Sequence, residues 1–149
     1  MFRGTSFHTL DDKGRIIIPT RYREIVRATS FDGIVVSRLD NCLVAYSMPG
    51  WEKIEKQILD LAETDDNMRL FRRVFIGGAE ECPCDKQGRV LIPPSLRKYG
   101  SLDRDIAMVG VLDHFEIWER SRWDQQTADF EDNMKQQEAL KTQIAKLGL

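Results

Sequence analysis

Apolar positions fall in two rhythms along this chain. Short blocks rich in β-branched and bulky side chains predict strands: "FHTL" (7–10), "RIII" (15–18), "GIVVSRL" (33–39) and "CLVAY" (42–46). Similar blocks return as "RVLI" (89–92), "IAMVGVL" (106–112) and "HFEIW" (114–118). "RIII" and "RVLI" read as short buried strands, each ended by a proline, Pro19 or Pro93, that also suits a first helical turn. "TRYREIVRA" (20–28) and "PSLRKYG" (94–100) then predict small helices, the second closed by Gly100. The paired strands that follow are joined by turns at Leu39–Asn41 and at Asp113.

The second rhythm is helical. Trp51, Ile54, Ile58 and Leu61 recur at three- and four-residue steps and predict one apolar stripe on a helix. Another helix is expected to start at a cap on Asp65 or Asp66. From 121 to 147 the chain is polar, with sparse apolar positions at Trp123, Phe130, Met134, Leu140, Ile144 and Leu147. This predicts one long helix with a thin stripe that packs on a neighbour.

These blocks are written twice. Setting Asp11 on Asp85, an offset of 74, places Gly14 on Gly88, Arg15 on Arg89, Ile18 on Ile92, Pro19 on Pro93 and Arg23 on Arg97. Trp51 and Trp123 each sit just inside a helical stretch. The expected organisation is a first half over 1–64, a connecting helix over 65–76, a second half over 77–123 and a helical tail over 124–149. Four short strands cannot bury both faces of a sheet, and isolated hairpins are marginal in water. Two halves packed together close a barrel and remove the exposed edges.

Composition narrows the class. The chain has 149 residues and a net charge of −2, which by itself argues against nucleic acid as a partner. The average hides a segregation, because the two segments that carry the repeat are the two with excess positive charge. Residues 1–30 hold six Lys/Arg against three Asp/Glu, and 65–104 hold eight against six. Residues 31–64 hold three against six, and 105–119 none against four. A field depends on where charge sits. No apolar run approaches the roughly 20 residues of a membrane span. The start has no leader-like pattern, and three cysteines make no disulfide framework, so a cytoplasmic protein is expected.

"MFRG" at the start, "HTLDDKGRIIIP" and "DKQGRVLIPPSLRKYG" resemble the bacterial MraZ family, a tandem branch of the AbrB/SpoVT swapped-hairpin transcription factors. The family's signature, Asp-x-x-x-Arg once per half, is similar to Asp11–Arg15 and Asp85–Arg89 here. The resemblance implies an α+β fold: a double-split β-barrel of two AbrB/SpoVT-like repeats within one chain, with flanking helices. It also implies a homo-oligomeric ring that binds direct repeats in a promoter. That promoter would stand ahead of the division and cell-wall gene cluster, which includes the regulator's own gene. Such a protein is nucleoid-associated. Cys82 and Cys84, just before the second signature, depart from the pattern.

Four residues apart across a tight turn, Asp11 and Arg15 can come back together in a charge-assisted hydrogen bond that fixes the turn. Asp11, Gly14, Asp85 and Gly88 are therefore expected to be structural. Lys13, Arg15, Arg21, Arg23 and Arg3 nevertheless cluster, as if an anion were expected. Arginine is well matched to phosphate and to guanine edges. Arg15 and Arg89 are expected to contact double-stranded DNA directly, with Lys13 and Lys86 as phosphate contacts. Arg3 joins them by the resemblance of "MFRG" to the family's start.

The competing classes have less behind them. Cys82 and Cys84 are spaced C-x-C around Pro83, and zinc needs two further ligands, for which only His8 and His114 are histidines. Buried small hydrophobes are the expected fate of these cysteines, and His8 is expected to cap a turn next to its strand. Nucleophile triads, glycine-rich phosphate loops and paired-acid motifs are not visible, so no enzyme activity, metal, cofactor or small-molecule substrate is expected. The alternative is an oligomeric scaffold or an antitoxin-like partner-binding module without DNA specificity.

Overall fold

In the computed structural model, which describes residues 1–61 and 65–149, the short apolar blocks are strands. The first half supplies β1 (Thr5–Thr9), β2 (Arg15–Ile17), β3 (Gly33–Leu39) and β4 (Cys42–Tyr46). The second supplies β5 (Glu80–Pro83), β6 (Arg89–Leu91), β7 (Asp105–Gly110) and β8 (Phe115–Glu119). Helices α1 (Thr20–Arg27), α2 (Met48–Leu59), α3 (Asp66–Gly77) and α4 (Pro94–Tyr99) lie among them.

Six strands form one antiparallel sheet in the order β1-β7-β8-β4-β3-β5, and β2 pairs with β6 as a separate two-stranded ribbon. Strands are exchanged between halves. β1 lies on β7, with Thr5 opposite Val109, and β5 lies on β3, with Pro83 opposite Gly33. β4 and β8 meet mid-sheet, Leu43 opposite Ile117. The fold is mixed α+β, and the expected barrel is not one closed cylinder of backbone ladders. Pro19 and Pro93 lack the N–H that would prolong β2 and β6. The ribbon instead closes on the opposite turns, where the Ile18 N–H donates to Gly88 O at 2.9 Å and the Ile92 N–H to Gly14 O at 3.0 Å.

β4 is buried at all five positions, because the sheet is covered on both faces here. Ile34, Val36, Leu43 and Ala45 face the main core, which also takes Ile16, Val90, Tyr22 and Leu96. Val35, Val44 and Tyr46 face a smaller core with Trp51, Ile58 and Phe75 of α2 and α3. Phe2, Tyr22 and Phe115 form a triangle of rings in the main core, with centroids 5.0–5.2 Å apart. The buried Ser37 hydroxyl donates to Phe75 O at 2.5 Å, which satisfies it and ties β3 to α3.

The local signals are honoured with some shifts. Asp40 and Asn41 take positive φ (53° and 65°), the two left-handed positions of a tight hairpin between β3 and β4. Asp65 caps α3, its side chain accepting from the Asn67 N–H at 2.8 Å. Gly100 ends α4 with helical dihedrals, and the left-handed turn falls on Ser101 (φ 51°). The stripe of α2 holds for Trp51, Ile54 and Ile58, whereas Leu61 lies past the helix end and is exposed. His8 does not cap a turn: its Nε2 stands 2.8 Å from the Ser6 hydroxyl two residues back on the same strand. "RIII" and "RVLI" are buried only at alternate positions. Ile16 and Val90 point inward, while Ile17 and Leu91 are 57% and 52% exposed.

Residues 120–149 form a second unit. The expected single helix is two, α5 (Arg120–Met134) and α6 (Glu138–Ala145). Glu131 and Asp132 occupy the last turn of α5, where the exposed carbonyls favour positive charge. Glu138 opens α6, where a carboxylate is favoured. The acidic run thus supports a stop and a new start rather than one continuous rod.

Candidate nucleic-acid interface

The two signature turns are built alike. Asp11 Oδ1 accepts the backbone N–H groups of Lys13 and Arg15, both at 2.9 Å, and Oδ2 accepts Arg15 Nε at 2.6 Å. Asp85 Oδ1 accepts from the N–H groups of Gln87 and Arg89, both at 2.9 Å, and Oδ2 accepts Arg89 Nε at 2.8 Å. Gly14 and Gly88 close the turns at φ 83° and 77°, and each N–H returns to the aspartate carbonyl at 3.0 Å. That region favours glycine. The Arg15 backbone N–H, joined by its guanidinium and the Lys13 N–H, holds the Asp11 carboxyl down at about 2. Asp85 is lowered in the same way, first by the Arg89 N–H. Both carboxylates are therefore ionised at neutral pH and clasp their arginines.

The clasp takes only the Nε edge. Arg15 leaves both terminal nitrogens without a hydrogen bond among the described residues, while Arg89 Nη2 donates to Gln87 Oε1 at 2.7 Å. The two side chains are 30% and 28% exposed. Both arginines stand on the outward face of the ribbon, since Ile16 and Val90 between them point to the core. Lys13 and Lys86 are exposed at the turns. The structure thus brings Arg15, Arg89, Lys13 and Lys86 to one ribbon and its two turns.

Arg3 lies elsewhere. It is exposed at the start of β1, the far end of that strand from Asp11, where the Tyr22 hydroxyl donates to Arg3 O and Gly4 O, both at 3.0 Å. Arg21 stacks on the Tyr22 ring with Cζ 5.0 Å from its centroid. Burial and the Arg21 charge push the pKa of His8 down.

Arg23 is not part of an anion-binding cluster. Its side chain is 16% exposed; Nη2 donates to Asp85 O at 3.2 Å and pairs with Asp32 at 3.5 Å. Its guanidinium lies against Gly88, where an added β-carbon would come within 2.8 Å of it. Arg97 does the same from the other half: Nε donates to Ile92 O at 2.9 Å, and the guanidinium fills the space beside Gly14. Each turn is therefore braced by an arginine from the opposite half. Sequence reasoning aligned Arg23 with Arg97 without seeing the bracing; the shared eight-residue step from each signature arginine was the available signal.

Cys42 and Cys82 are buried and Cys84 is half-buried, and burial raises all three thiols, Cys82 to about 12. No group of three His, Cys, Asp or Glu side chains that could hold a metal ion occurs among the described residues. Within the same residues, no helix is long and apolar enough to cross a membrane.

Comparison with known proteins identifies the kinship. The "MraZ protein" family model, whose description carries the words "antitoxin-like", matches twice, over residues 1–74 and 75–144. The chain belongs to the MraZ family. A "Transcriptional regulator MraZ" of Desulforapulum autotrophicum is 51% identical over 149 residues, covering all of both chains. Another of that name, from Desulfosudis oleivorans, is 45% identical over 150 residues, again covering both chains completely. A third, from Acetivibrio thermocellus, is 40% identical over 149 residues with the same coverage. One Asp-x-x-x-Arg turn falls in each of the two segments that the MraZ model matches.

Proposed function

We propose that this MraZ-family chain is a transcriptional regulator that grips promoter DNA through the outward face of its two-stranded ribbon. The observation that carries the reading is the pair of clasped arginines. Asp11 and Asp85 fix Arg15 and Arg89 by Nε alone, so the outer edges of both forks point away from the core in a set orientation. A fork held this way loses little freedom on meeting a guanine edge or a phosphate. Arg15 and Arg89 read the duplex, Lys13 and Lys86 contact phosphates, and Arg3 touches the backbone outside the ribbon. The names of the relatives support regulation of transcription.

The finer reading follows from the resemblance. The target is a set of direct repeats before the division and cell-wall gene cluster, including the chain's own gene, and the site of action is the nucleoid. The chain works as a homo-oligomeric ring, with the thin stripe of residues 121–147 against a neighbouring subunit. A ring multiplies weak single-subunit contacts by effective concentration. In this reading the six-stranded sheet and the ribbon together are the double-split barrel, with halves over 1–64 and 77–123 joined through 65–76, and a tail over 124–149.

Titration of fluorescent duplexes tests this. The sequence upstream of the chain's own gene should bind more tightly than random duplex of equal length, with affinity falling steeply as salt rises. Equal affinity for both, or none, rejects the reading. Sedimentation at micromolar concentration should show an oligomer. The second reading, a partner-binding module, draws on the family's "antitoxin-like" description. It is favoured if a co-purified protein binds and DNA does not.

A further inference from the structure

The outward face of the ribbon carries two large aliphatics that the core does not use. Ile17 is 57% exposed and Leu91 52% exposed. They are not scattered on the surface. Arg15 is directly opposite Leu91, and Ile17 directly opposite Arg89, about a centre at Ile16 and Val90. Each aliphatic therefore has an arginine both across the ribbon and two residues along its own strand. The strand alternation that sends Ile16 and Val90 inward forces all four side chains to one face. Solvent-facing positions of such a short ribbon favour polar residues, yet both halves place a branched aliphatic at the same step.

Resting on the DNA-binding reading above, we infer that Ile17 and Leu91 are specificity-determining residues that contact the 5-methyl groups of thymines in the major groove. Two strands about 4.8 Å apart make a ribbon that fits a major groove about 12 Å wide. Within that groove the arginine forks match guanine O6 and N7. The thymine methyl is the one apolar group that the major-groove edges present, and Ile17 and Leu91 are the apolar groups next to the forks. The ribbon thus selects base steps in which a guanine adjoins a thymine. A second copy of the chain suits this face less well, because docking it there brings guanidinium groups of like charge together.

The test uses the full chain. Duplexes are selected from a random library, and the tightest is rebuilt with deoxyuridine in place of each thymine, which removes only the methyl. The wild type should lose affinity about fourfold for each methyl it touches. Ile17→Ala should lose the sensitivity at the thymines that Ile17 touches and Leu91→Ala at those that Leu91 touches, each keeping the other's, with melting curves close to wild type because both positions are exposed. If wild-type affinity is insensitive to deoxyuridine at every position, the inference is overturned while DNA binding stands. If either variant changes the sedimenting mass and keeps the wild-type methyl sensitivity, the face is a contact between copies and the inference is again overturned. If no duplex is retained even at low salt, the DNA-binding reading fails, and this inference with it.

Discussion

Arg97 occupies the space that a side chain on Gly14 would need. A β-carbon there would lie 2.6 Å from Arg97 Cζ, and Gly14 holds φ at 83°. The two residues belong to different halves, so one turn is shaped by the other half's helix.

Gly14→Ala should therefore lower stability by about 1–3 kcal/mol, from the left-handed backbone and the displaced guanidinium together. Arg97→Ala should remove only the second contribution. Urea unfolding of the two single variants and the double variant should show the pair to be less than additive. Full additivity would mean that Arg97 does not brace the turn.

Acid should loosen both turns. The folded carboxyl of Asp11 titrates at about 2, below its ordinary 3.8, and Asp85 is lowered too. Their stabilising contribution is complete above about pH 4 and is lost as pH falls toward the folded values. Melting temperatures from pH 5 to pH 2 should fall less steeply for Asp11→Asn than for the wild type.

The parts of this molecule that follow from local chemistry were legible in its sequence. Asp-x-x-Gly-Arg marked both turns, and the runs after them marked the strands. Ile34 and Val35 are alike in sequence yet face different cores, because burial on both sides of the sheet erases alternation. The bracing of Gly14 by Arg97 and of Gly88 by Arg23 joins residues 83 and 65 positions apart, which no local pattern reports. Ile17 was misplaced for a different reason. Three aliphatics in a row look like a buried strand, and only the pairing with β6 shows that the middle one, Ile17, points outward while Ile16 and Ile18 are buried.

His114 sets a second pH dependence with the opposite sign. Glu116, with its carboxylate 3.8 Å from Nε2, and Asp113, 2.7 Å from Nδ1, favour the charged ring and raise its pKa above 6.5. The ring also stacks on Tyr46, with centroids 5.0 Å apart. The stabilisation is complete below pH 6.5 and is lost as pH rises through the raised value. The two histidines should separate in an NMR titration, His8 below 6.5 and His114 above it. His114→Gln should flatten the alkaline side of the stability profile.

The thiols should resist modification. Cys42 and Cys82 are buried, and Cys84 is half-buried beside Asp32, whose charge adds to the effect of burial. A thiol reagent at pH 7.5 should leave Cys42 and Cys82 unreacted in the native protein and modify Cys84 slowly. All three should react in denaturant. Cys82→Ala with Cys84→Ala should bind DNA within a few-fold of wild type, since neither thiol reaches the outward face of the ribbon.

The two signature arginines should not be equivalent. Arg15 offers both terminal nitrogens, whereas Arg89 already donates one to Gln87. Arg15→Ala should weaken binding to the selected duplex by about tenfold or more for each base that the arginine reads. Arg89→Ala should weaken it less, because DNA must compete with the Gln87 amide oxygen for the same nitrogen. Gln87→Ala frees that nitrogen and should tighten binding if Arg89 reads the duplex. None of the three should shift the melting temperature much, because Gly14, Gly88 and the opposite-half arginines hold the turns independently of these side chains. Anisotropy titrations at two salt concentrations separate the roles. A residue that reads a base changes sequence preference, and one that only meets phosphate lowers the salt slope by about one unit. Wild-type affinity in Arg15→Ala together with a large fall in melting temperature would make the signature a structural clasp alone.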